Sequence, residues 1–75
     1  MVYISVVQDD YYIILNCHKG SKEGECFKLV IDPITKRVIE KPDEPDINVS
    51  AAYSHIYMLL SSGEPLPSET IAAWG

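Results

Sequence analysis

The sequence predicts an α+β fold: a four-stranded antiparallel sheet built from two hairpins, one helix packed on one face, and a short C-terminal helical turn or tail. Three observations predict it. Segments rich in β-branched and aromatic residues, separated by turn formers, occupy residues 1–41. A stretch of prolines and acids at 42–46 interrupts them. Residues 47–63 then carry apolar side chains at helical spacing and no Lys, Arg, Asp or Glu. The expected division is therefore sheet 1–41, linker 42–46, helix 47–63 and appendage 64–75 within one domain. At 75 residues a single core supplies roughly 3–5 kcal/mol, so such a chain gains from a staple or a partner.

Val2 to Val7 and Tyr11 to Cys17 flank Asp9-Asp10, which suits a two-residue turn, although the absence of glycine leaves room for a longer loop or a bulge. With that turn, Val6 faces Ile13, Ile4 faces Leu15 and Val2 faces Cys17, giving one wholly apolar face. The other face gathers Val7 with Tyr12, Ser5 with Ile14 and Tyr3 with Asn16. That mixture is not an ordinary solvent face.

The polar stretch from His18 to Glu25, punctuated by Gly20 and Gly24, leads into a third strand in which Phe27, Leu29 and Ile31 alternate with the rest. These three belong with the apolar face, so Cys26 points the other way. Asp32-Pro33-Ile34-Thr35-Lys36 offers a carboxylate and a preset φ for a turn before Arg37 to Glu40 resume an extended pattern. The stretch resembles the Asp-Pro-x-Thr-Gly hairpin turn of many unrelated β-rich proteins, with Lys36 in place of the glycine, and identifies no family.

Asn48 or Ser50 is the expected helix cap, with Gly63 at the stop and Pro65 beyond it. At about 100° per residue, Val49, Ala52, Tyr53, Ile56, Leu59 and Leu60 form one stripe that covers the apolar sheet face. The opposite side shows Ser50, Ala51, Ser54, Met58, Ser61 and Ser62, flanked by Tyr57 and His55, without a charge. Leu66, Ile71 and Trp74 are expected to pack the tail, either across the second sheet face or on a neighbouring chain.

Eleven acidic against six basic residues give a net charge of −5 with no basic cluster, which excludes a phosphate-neutralising surface and nucleic acid as partner. No apolar stretch is long enough to span a bilayer, and Met1 to Ser5 lack the features of an export signal, so no membrane association and a cytoplasmic location are expected. The two cysteines are then expected as free thiols; their placement on opposite sheet faces argues against both a disulfide and a shared metal site.

Cys17, His18, Cys26 and His55 are zinc-ligand types but match no standard spacing, so no metal and no cofactor is expected. Cys26 with His18 is the pair that the strand register can bring together for nucleophilic chemistry. Nothing nearby suggests an oxyanion hole, and no catalytic residue is assigned. The expectation is a non-enzymatic interaction module that forms a homodimer or docks on another protein. Its interface residues are Tyr57 and Met58 on the helix, or Tyr3, Tyr12 and Ile14 on the second sheet face. The alternative is a small-molecule or metal-binding domain using His18, Cys26 and the tyrosines.

Overall fold

A computed structural model of the chain describes residues 1–73. The chain forms strands β1 (Val2–Gln8), β2 (Ile13–Lys19), β3 (Cys26–Ile31) and β4 (Val38–Glu40), helix α1 (Ile47–Ser61) and strand β5 (Glu69–Ala72). The sheet is antiparallel in the order β4-β3-β2-β1-β5. It thus has five strands rather than four. The C-terminal segment is not a helical turn: Glu69 to Ala72 pair with Ser5 to Val2 along the outer edge of β1. Pro65 and Pro67 keep the segment from continuing the helix, and the β-branched pair Thr70-Ile71 suits an extended edge strand. The tail expected across the second face instead lengthens the sheet sideways, and the expectation for Trp74 lies outside the described residues.

The first hairpin turns one residue later than its composition suggests. Asp9 Oδ1 accepts from the backbone N–H groups of Tyr11 and Tyr12 at 2.7 and 2.8 Å, and Asp9 N donates to Tyr12 O at 3.0 Å. Asp9 therefore flanks the turn, and Asp10-Tyr11 form its tip. Moving the turn by one residue moves the register by two, so Val6 pairs with Leu15, Ile4 with Cys17 and Val2 with Lys19. An even shift leaves every side chain on its expected face.

In the second hairpin Asp32 repeats the device, accepting from Ile34 N and Thr35 N at 2.8 and 3.2 Å. Lys36 takes the left-handed conformation, φ 63°, that glycine usually fills in such a turn. Ile31 pairs with Val38 and Val30 with Glu40, leaving Ile39 as the extra residue of a bulge.

The core lies between the sheet and α1. Val2, Ile4, Ile13, Leu15, Cys17, Leu29 and Ile31 from the first three strands meet Ala52 and Ile56 of α1 and Ala72 of β5, all buried. Val49, Tyr53, Leu59, Leu60, Phe27 and Leu66 complete the packing. The helical stripe read from sequence is the one that packs.

The cap is Asp46 rather than Asn48 or Ser50: its Oδ1 accepts from Asn48 N at 2.8 Å, and its Oδ2 meets Lys19 Nζ at 2.5 Å. Tyr53 donates to Lys36 O at 2.7 Å, and His55 Nε2 lies 2.8 Å from Thr70 Oγ1. The helix is thus pinned to the end of β2, to the second turn and to β5.

Candidate functional site

Among the described residues a single helix shields one face of the sheet. On the opposite face, alternation places Tyr3, Ser5 and Val7 of β1, Ile14, Asn16 and His18 of β2, and Cys26, Lys28 and Val30 of β3. Glu69 and Ile71 of β5 extend it, because Ile71 pairs with Tyr3. Val7, Tyr12 and Ile71 are 56, 46 and 45% exposed, while Tyr3, Ile14 and Val30 are half-buried by their neighbours alone. The result is an apolar row of Val7, Ile14 and Val30 near the first turn and an apolar pair, Tyr3 and Ile71, toward the other end, with the polar row Glu69, Ser5, Asn16 and Lys28 between them.

Charges of both signs stand at the two sides of this face. Lys28 Nζ lies 3.4 Å from Glu40 Oε2 on one side. On the other side a shallow groove of about 460 Å³ is lined by Tyr3, Ser5, His18, Lys22, Glu69 and Ile71. The acids that give the chain its net charge lie mostly elsewhere, in the turns and the linker.

Of the sheet residues expected at an interface, the structure places Tyr12 and Ile14 near the first turn and Tyr3 on the same face at the opposite end of β1, paired with His18. Tyr57 and Met58 lie apart from them on the outer side of α1, 45 and 63% exposed, with the Tyr57 ring tilted against Tyr53 at 5.9 Å between centroids. Sequence reasoning named Ile71 as a residue of a tail packing over the sheet and did not name Glu69; it missed that both belong to the sheet face itself. The available signal was Thr70-Ile71 following two prolines.

His18 and Cys26 sit directly opposite each other on β2 and β3. Cys26 Sγ lies 3.2 Å from His18 Nδ1, and the Gly24 carbonyl is 3.4 Å from that nitrogen and 3.7 Å from the sulfur. The loop before Cys26 folds so tightly that a Cβ on Gly24 would run into the Lys19 carbonyl. The narrow neck closed by Lys19 N donating to Glu25 O at 2.9 Å thus fixes where the Gly24 oxygen sits.

The other zinc-ligand types are dispersed. Cys17 is in the core, where burial pushes its thiol up to about 12, and His55 is engaged at the helix–β5 junction. Among the described residues, no three of His, Cys, Asp and Glu converge where a metal ion could be held.

Comparisons with protein-family models, curated proteins and solved structures return no match. Function must be read from the surface itself. Among the described residues no helix is long and apolar enough to cross a membrane.

Proposed function

We propose that this protein is a non-enzymatic interaction module that self-associates through the open face of its sheet, two copies packing face to face. The observation that supports this reading is an open sheet face carrying two apolar groups, Val7-Ile14-Val30 and Tyr3-Ile71, with a balanced set of charges at its sides. On a chain of net charge −5, a face bearing Lys22, Lys28, Glu40 and Glu69 selects neither a strongly basic nor a strongly acidic partner. A second copy related by a twofold axis can set the lysines of one face against the glutamates of the other.

The dimensions set the strength. Five strands about 4.8 Å apart and six residues at about 3.4 Å span roughly 24 × 20 Å, so face-to-face packing removes on the order of 500–700 Å² from each copy. That is at the lower end of stable specific interfaces, which suits a reversible dimer of roughly micromolar affinity. The edges are poorer routes. β1 is covered by β5, while β4 and β5 are only three and four residues long, and β4 is bulged.

Sedimentation equilibrium across the micromolar range is expected to show a mass rising above the 8.4 kDa monomer. Ile14→Asp and Tyr12→Asp should return it to the monomer while far-UV circular dichroism retains the fold, and Met58→Asp should leave association intact. A protein that stays monomeric throughout, or one dissociated by Met58→Asp and not by Ile14→Asp, overturns the assignment.

A further inference from the structure

The two cysteines occupy neighbouring strands in opposite environments, and one of them is placed for chemistry that self-association does not require. Cys17 is sealed in the core, whereas Cys26 is exposed with an imidazole nitrogen 3.2 Å from its sulfur. The cross-strand pairing of His18 with Cys26 holds that contact on two backbone strands, so it does not depend on a mobile loop. Cys26 itself lines a shallow groove of about 580 Å³ with Glu25, Lys28 and Glu40, while His18 lines a separate groove toward β5, so a small molecule has room at the sulfur.

We propose that Cys26 is a reactive thiol that exchanges with low-molecular-weight disulfides, His18 acting as the base that receives its proton. In the neutral imidazole with hydrogen on Nε2, the free lone pair of Nδ1 accepts from the Cys26 S–H. The proton moves to Nδ1, and the new N–H donates toward the thiolate or the Gly24 oxygen, which lies 3.4 Å from that nitrogen. The thiolate attacks one sulfur of the disulfide R–S–S–R. A Cys26–S–S–R bond forms, the old S–S bond breaks, and the departing R–S⁻ takes the proton from the imidazolium to leave as R–SH. The small disulfide is the oxidant and is reduced to one thiol for each Cys26 consumed. The exchange is stoichiometric and reversible, a modification of this chain rather than turnover.

Thiolate supply normally limits such reactions, because a free thiol with pKa about 8.5 loses reactivity about tenfold for each pH unit below that value. A neighbouring base should flatten this dependence. The position of His18 has a plain structural alternative, in which the ring merely fills space beside β3, and a pH profile separates the two.

The test incubates the folded protein with glutathione disulfide and follows adducts by intact mass. Wild type and Cys17→Ser should gain one glutathionyl group that dithiothreitol removes, and Cys26→Ser should gain none. His18→Gln, or His18→Asn if only that variant unfolds cooperatively, should react about tenfold more slowly at pH 6.5. At pH 9, above the ordinary value of a solvent-exposed thiol, it should lie within about threefold of wild type. At submicromolar protein, where a reversible dimer of roughly micromolar affinity is dissociated and the shared face is uncovered, Ile14→Asp should be modified at the wild-type rate, so this result stands or falls apart from the dimer. Labelling of Cys17 in the folded protein, absence of any adduct, or identical pH profiles for wild type and the His18 variant would overturn the proposal.

Discussion

Ile14 and Leu15 are consecutive residues of one strand, of nearly equal size and hydrophobicity, yet they experience opposite surroundings. Leu15 is fully buried beneath α1, while Ile14 is sheltered only by side chains of its own sheet face. The same contrast separates Cys17, in the core, from Cys26, on the open face. The strands are therefore two surfaces interleaved residue by residue. The helix decides which surface becomes core, and the other keeps its apolar side chains without receiving a cover from the described part of the chain.

Truncation should expose that contrast most sharply. Leu15→Ala is expected to remove about 2–5 kcal/mol through lost burial and a residual cavity, comparable to the whole stability of a domain this small. Urea unfolding should show a much reduced or absent cooperative transition. Ile14→Ala should lower stability by about 1 kcal/mol or less in the monomer while weakening association. Equal costs at the two positions would mean that the open face is as tightly packed as the core, and the comparison would fail.

Acid should loosen the helix side. Hydrogen bonding from Lys19, then from the Asn48 backbone and side chain, holds the Asp46 carboxyl down to about 2. The Asp9 carboxyl is also lowered, by the Tyr11 and Tyr12 N–H groups. A depressed carboxylate contributes stability that is fully present above its unfolded value and lost as pH falls through the folded one. Stability should therefore decline from about pH 4 toward pH 2. Asp46→Asn keeps a good cap but should flatten that decline, as read from thermal midpoints against pH; an unchanged slope would remove Asp46 from the account.

Smaller effects come from the second turn. Tyr53→Phe, which deletes the hydroxyl bonded to Lys36 O, is expected to cost about 0.5–1.5 kcal/mol. Lys36→Gly should stabilise by up to about 1 kcal/mol, because glycine meets φ 63° without a Cβ clash while its greater unfolded entropy offsets part of the gain. Both are measurable as shifts in the denaturation midpoint, and a destabilising Lys36→Gly would show that the lysine side chain supports the turn.

Much of this was legible in the residues because a period of two survives errors that an absolute register does not. Composition points to a turn at Asp9-Asp10, but backbone capping by the Asp9 carboxylate makes Asp9 the flank. The strands slipped by two, and every face assignment held. The helical stripe from Val49 to Leu60 was legible because its apolar positions repeat at helical spacing, whereas the cap was not. Asp46 lies in a run of acids and prolines where any carboxylate fits, and its meeting with Lys19 depends on where β2 ends. β5 was hidden for a different reason: four residues with no alternating pattern form a strand only because β1 offers them a partner. The nearness of His18 to Cys26 is a consequence of the β2–β3 register, and its distance and the Gly24 carbonyl beside it emerge only from the folded loop.

The place of β5 next to β1 also has a consequence in time. Pairing Val2 with Ala72 closes a loop of about seventy residues, roughly 2.5 kcal/mol more costly in chain entropy than closing a four-residue hairpin turn. At about 5–20 residues per second, the ribosome makes Ser5 some 3–13 s before it reaches Glu69. Throughout that interval the outer edge of β1 has no intramolecular neighbour. Many chains made at once would find each other through that edge, and a β5 shortened or broken by proline would make the exposure permanent.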